Sequence, residues 1–173
     1  MRATSHKVAG ACSALIVASF MFQGDAKTPA TYIAIAGAFA GGVLGGLLPD
    51  IDHPESTMGR RLKPLSHVIN TLFGHRGFTH TLFAWLLTSY FLFVLSGWIP
   101  MSVKGYVLAV FSGVIVGYMS HLLLDMLTVS GVPLLYPLSK KTLRFARLRT
   151  GRDDWIVTSL TLIITAVFLY YTR

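Results

Sequence analysis

Charge is what this chain has least of. Of its 173 residues, 13% are Asp, Glu, Lys or Arg, and only seven are acidic. Ordinary soluble domains carry roughly 25% charged residues. With 53% hydrophobic residues and a mean hydropathy of +0.61, the shortage excludes a water-soluble globule and points to a protein embedded in a membrane. Cysteine is nearly absent as well: Cys12 is the single one and lies in an apolar run, so no intrachain disulfide can form and the redox compartment is left unread. Internal repeats and low-complexity tracts are missing. Missing too is the extended aromatic and basic surface that a nucleic-acid strand requires, so nucleic acid is not an expected partner.

Long apolar runs occupy residues 8–22, 31–48, 81–99, 105–124 and 155–171, each ended by charge, glycine or proline. They predict an all-α, polytopic bundle of about five transmembrane helices, with residues 1–173 forming one integral-membrane domain. The run after "MRATSHK" could alternatively be a signal peptide. Phe20, Met21 and Phe22 stand where a small-residue cleavage site would be needed, which favours a retained helix. Glycines recur every four residues, as Gly37, Gly41 and Gly45, as Gly42 and Gly46, and as Gly113 and Gly117, a spacing that lets helix backbones approach closely.

Basic residues in short loops favour the cytoplasmic side. Placing the N-terminus inside collects Arg2, Lys7, Arg60, Arg61, Lys63, Arg76, Lys140, Lys141, Arg144, Arg147, Arg149 and Arg152 on that face and leaves Lys27, Lys104 and Arg173 on the other. The expected location is thus a membrane crossed several times, with the N-terminus inside and the C-terminus outside. The same assignment brings all six histidines and every acid except Asp25 to the cytoplasmic ends of the helices.

The scarce carboxylates are concentrated. "LLPDIDHPES" holds Asp50, Asp52 and Glu55, and an extended segment between Pro49 and Pro54 would point Asp50 and Asp52 the same way. Like carboxylates so close repel unless a proton or a metal separates them. In the fourth long run, Gly113, Gly117, His121 and Asp125 repeat every four residues and make one stripe that ends in an imidazole and a carboxylate about 24 Å along a roughly 30 Å apolar core. "HRGFTHT" sets His75 and His80 around a glycine, with Arg76 available to an anionic oxygen. Taken separately, each has a plain reading as a wetted helix end or a basic surface loop. Taken together, His6, Asp50, Asp52, His75, His80, His121 and Asp125 form a candidate metal-ligand set. Mixed imidazole and carboxylate donors suit zinc first, with manganese or iron as alternatives, and one or two ions. His53 is expected to cap a turn, His67 to lie in an interfacial segment, and Glu55 to be either a general base or an exposed loop acid.

The segments "LLPDIDHP", "GHRGFTHT" and "GYMSHLLLDMLTVSGVPLLYP", with "SHKVAG" ahead of them, resemble the YdjM-like family of bacterial inner-membrane proteins, taken to be metal-dependent hydrolases. By its His and Asp pattern that family is similar, more distantly, to the zinc-dependent phospholipase C and P1 nuclease group. The resemblance implies that His121 and Asp125 are ligands, with Asp125 bridging metals, that Asp52 and either His75 or His80 complete one ion, and that His6 serves a neighbouring one. Two departures stand out. No histidine follows His121 to hold a third metal, and Met1, whose amine would be a ligand in that group, lies five residues before His6.

The expected function is hydrolysis of a phosphoester in a membrane lipid or lipid-linked substrate by metal-activated water. Asp50 or Glu55 would accept the proton and Arg76 would hold a non-bridging oxygen. Anionic phospholipid headgroups are expected partners of the basic stretch "KKTLRFARLRTGR". The alternatives are a metal ion transporter and a non-catalytic protein with a structural metal; the oligomeric state is not readable.

Overall fold

Small residues decide how this bundle is assembled. The structure, a computed structural model, describes residues 1–24, 27–74 and 76–172. Among these, six α-helices are present and no strand: α1 (Ala3–Met21), α2 (Pro29–Gly45), α3 (Lys63–Phe73), α4 (Leu82–Ser96), α5 (Met101–Met126) and α6 (Asp154–Tyr171). Five of them answer to the five apolar runs. By length and apolarity, residues 29–52, α5 and α6 could each cross a membrane. α4 has 15 residues, about 22 Å of helix, and is a shorter apolar segment.

α2 is the centre of the bundle, with glycine on two faces. Toward α5, a Cβ on Gly41 or Gly45 would strike the carbonyls of Val110 and Val114, and one on Gly113 or Gly117 would strike those of Ala38 and Gly42. Toward α1, Gly42 and Gly10 face each other, and Gly46 faces the His6 carbonyl. The four-residue glycine spacing is therefore a packing device, bringing three backbones into direct contact. Ala18, Ala34, Ala38 and Ala109 fill the narrow space farther along. α6 packs on the outside of α1, and α4 packs on α5, where Trp85 Nε1 donates to the Ile115 carbonyl at 2.9 Å.

Two local results differ from the sequence expectation, and a third gives an expected segment its form. α1 starts at Ala3, not near residue 8, so His6 lies inside the helix; Ser5 and His6 are polar but buried, and hydropathy alone hides such a turn. Residues Pro49–Asp52 form a 3-10 turn rather than an extended segment. Proline fits the first position of such a turn, where no N–H is required, and the turn sends Asp50 and Asp52 in different directions. The interfacial segment expected around His67 is the amphipathic helix α3, whose Leu65, Val68 and Leu72 are exposed on one side. His67 is exposed on it, and the His67 carbonyl accepts the Thr71 hydroxyl.

Candidate metal centre

The helix crossing places six of the seven expected ligands at one end of the bundle; the seventh, His75, lies outside the described residues. His6 comes from the first turns of α1, Asp50 and Asp52 from the 3-10 turn after α2, His80 from a 3-10 turn (Phe78–His80) before α4, and His121 and Asp125 from the last two turns of α5. All are fully buried except Asp50, whose side chain is 19% exposed.

His121 and His80 define the centre. His121 Nδ1 lies 2.7 Å from the Gly46 carbonyl, which can only accept, so Nδ1 carries the proton and Nε2 carries a lone pair. His80 Nδ1 lies 3.1 Å from Asp52 Oδ2, which makes His80 Nε2 its basic nitrogen by the same argument. The two Nε2 atoms face each other at 3.3 Å. Asp50 Oδ1 is 3.7 Å from each of them, and Asp125 Oδ2 is 3.8 Å from each. These carboxylate separations are too long for hydrogen bonds. Each triangle made by the two nitrogens and one of these oxygens leaves a centre about 2.1 Å from its three donors, the length of zinc bonds to nitrogen and oxygen. Two imidazole nitrogens and two carboxylate oxygens crowded this closely need a proton or a cation between them. The residues therefore fit a divalent metal. Their outer hydrogen bonds to a backbone carbonyl and a carboxylate are those that orient ligating imidazoles elsewhere.

Asp52 sits behind His80. Its Oδ2 accepts from Thr79 Oγ1 at 2.6 Å and from the Arg76 backbone N–H at 2.9 Å, and its carbonyl accepts from Asn70 Nδ2 at 2.7 Å. The Thr79 carbonyl in turn accepts the Tyr118 hydroxyl. In the metal-free protein, burial disfavours the His80 imidazolium. The facing carboxylates of Asp50, Asp52 and Asp125 outweigh burial and raise the pKa to about 9.

Asp125 turns its two oxygens to different groups. Oδ2 faces His80, His121 and Arg76 Nη2, the last at 3.1 Å. Oδ1 lies 3.4 Å from His6 Nε2 and accepts from the Met1 α-amino group at 2.7 Å. The separation of Met1 from His6 in sequence thus does not keep the amine away, because the chain before α1 folds back onto Asp125. His6 stacks on His121 with ring centroids 3.6 Å apart, and His6 Nδ1 is buried without a hydrogen-bond partner. His6, His121 and Asp125 form a second potential ligand group that shares His121 with the group of Asp50, His80 and His121.

Arg76 has φ = 58°, an uncommon conformation for a side chain of its size. Its N–H on Asp52 and its guanidinium on Asp125 hold it there, and the side chain is 21% exposed. Glu55 does not join the group: it is exposed, and its N–H donates to His53 Nδ1 at 3.2 Å, the turn-capping contact expected of that histidine. Thr79, Tyr118, Asn70 and the Met1 amine were not singled out by spacing. Two carried a signal: Thr79 as the polar residue between the glycine and the second histidine of "HRGFTHT", and the Met1 amine through the resemblance.

Over its whole length, residues 1–173, the sequence matches the family described as YdjM inner membrane protein. The chain belongs to that family. Similar to it are the inner membrane proteins YdjM of Escherichia coli (strain K12) and of Shigella flexneri, each 51% identical over 98 residues, which cover 55% of this chain and 46% of the relative. The chain spans about half the length of these two YdjM proteins. The protein YvsG of Bacillus subtilis (strain 168), itself uncharacterized, is 36% identical over 125 residues, 71% of this chain and 72% of that protein. No solved structure matches. Membership in the YdjM family and three helices suited to crossing a bilayer establish an inner membrane protein.

Proposed function

We propose that this protein is a multi-pass, metal-dependent hydrolase that cleaves a phosphoester of a membrane lipid or lipid-linked substrate at the cytoplasmic face. The observation that carries the reading is the convergence of the two oriented imidazole nitrogens, 3.3 Å apart, with Asp50 and Asp125 oxygens at 3.7–3.8 Å. Three of these donors, His80, His121 and Asp125, would hold one divalent ion, zinc by donor type, leaving Asp50 for proton transfer, and His6 with Asp125 would share a second. A bound divalent cation supplies Lewis acidity toward water and toward an ester oxygen.

The chain's own residues have definite tasks in this reading. Asp52 and the Gly46 carbonyl keep the His80 and His121 rings in one tautomer and orientation. Asp50 is the one carboxylate of the group with solvent access, and so accepts the proton of an attacking water. Arg76, partly exposed beside Asp125, offers its guanidinium to an anionic phosphoryl oxygen. Glu55 has no part in it. Location supports a lipid substrate: the group sits at the ends of α2 and α5, the depth of phosphorylated headgroups, beside a basic segment. The same location disfavours transport, since transporter sites lie near the midplane on broken helices.

The test is phosphate or headgroup release from phospholipid by the purified protein in lipid, with metal content measured in parallel. His121→Ala with Asp125→Ala is expected to lose both bound metal and turnover. Full turnover by that double variant would refute the site, and unfolding on chelation with no turnover of any phospholipid would favour a structural metal.

A further inference from the structure

Leu65, Val68 and Leu72 of α3, spaced i, i+3 and i+7, make one face of the helix, and all three are exposed, Leu72 by 68%. The other side is polar and turned inward: Ser66 is fully buried, and Asn70 Nδ2 donates to the Asp52 carbonyl at 2.7 Å. A helix on a water-facing surface does the reverse, burying its apolar stripe and showing its polar one. What lies outside α3 is therefore apolar. Its 11 residues make about 16 Å of helix, too short to cross a roughly 30 Å core. Asp52 fixes its place along the bundle, because that residue closes the stretch 29–52, which is able to span. An amphipathic helix at that boundary lies in the plane of the interface with its apolar side toward the acyl chains.

Charge selects the lipid. Arg60, Arg61 and Lys63 stand exposed at the start of the helix, and no acid lies between Ser56 and Gly74 to neutralise them. A segment that joins an outward apolar face to uncompensated cations fits a surface that offers acyl chains and phosphates together. We propose that α3 docks in the interface of an anionic phospholipid bilayer, with Leu65, Val68 and Leu72 among the acyl chains and Arg60, Arg61 and Lys63 on headgroup phosphates. His67 and Thr71, both exposed, lie on the flank between the apolar and the inward face and stay in contact with water. Through Asn70 the docked helix braces the turn that carries Asp50 and Asp52. The surface is distinct from the metal-ligand group and does not require a metal to be bound.

Fluorescence from single labelled cysteines in the full chain tests this, with the native Cys12 buried. Val68→Cys, Thr71→Cys and Leu72→Cys, each carrying an environment-sensitive dye, are placed in vesicles of phosphatidylcholine and phosphatidylglycerol in equal amounts, with an acyl-chain quencher on one lipid or on the other. Dyes at positions 68 and 72 are expected to be quenched from the bilayer, and the dye at position 71 by aqueous iodide. At position 72, quenching should be about fivefold stronger with the quencher on the glycerol lipid than on the choline lipid, the enrichment that one surface charge gives. Arg60→Gln with Arg61→Gln, changes at exposed side chains, should remove most of that excess. Equal lipid quenching at positions 71 and 72 overturns the proposal, as do dyes at 68 and 72 shielded from both quenchers, which mark a face covered by protein. Equal quenching by the two lipids, or an excess unchanged in the double variant, overturns it as well.

Discussion

Asp52 lies outside the ring of facing donors, yet it determines which His80 nitrogen is basic. Replacing it by Asn removes the negative charge and presents an amide that can donate as well as accept. Asp52→Asn is expected to weaken divalent-metal affinity by about 10- to 100-fold, measured by competition with a chromophoric chelator, while helix content by circular dichroism stays unchanged. The His80 shift makes a second prediction for chelator-treated protein. Its folded pKa is raised from 6.5 to about 9, so the stabilisation from its protonation is complete below pH 6.5 and is lost as pH rises through about 9. Thermal unfolding between pH 6 and 10 should show that decline, and His80→Gln should flatten it; an equal slope in both would exclude His80 as its source. The His121 and Asp125 pair was readable in the sequence because i and i+4 share a helix face. The different placements of Asp50 and Asp52 were not, because strand alternation and a 3-10 turn give opposite answers for residues two apart. Nor was the Met1 contact, since only tertiary folding brings it to Asp125.

The glycines of α2 and α5 make predictions of their own. Gly117→Ala puts a methyl against the Gly42 carbonyl, backbone on backbone, and is expected to destabilise by about 1–3 kcal/mol and to lower the unfolding temperature in detergent. Gly105→Ala, in the same helix with open space around it, should be neutral or stabilising by up to about 1 kcal/mol. Equal effects at both positions would show that the close contact is not formed. The helices were legible because apolar runs of this length have few other folds. The early start of α1 was not, because Ser5 and His6 are polar residues buried against neighbours that the sequence does not name.

For the molecule as a whole, the distribution of lysine and arginine is the sequence's own statement of orientation. With Cys12 buried, single cysteines can be read on the native background. Lys104→Cys should react with an impermeant maleimide from the periplasmic side of intact cells, and Lys141→Cys only after the membrane is opened. The reverse pattern would invert the chain and move the histidines and aspartates to the outer face. The gathering of these groups at one end was legible from charge and helix ends alone; the tautomers and the outer hydrogen bonds follow only from the tertiary fold.

The backbone-to-backbone seam of α2 with α1 and α5 leaves those three helices no room to slide, so they act as a fixed jaw carrying His6, Asp50, His121 and Asp125. His80 and Arg76 belong to the facing turn that leads into α4, a short helix that packs, among the described residues, chiefly on α5. In the proposed reading a headgroup is expected to enter on that flank, beside the guanidinium and one imidazole, and only as far as the bonds of Thr79 to Asp52 and Tyr118 allow.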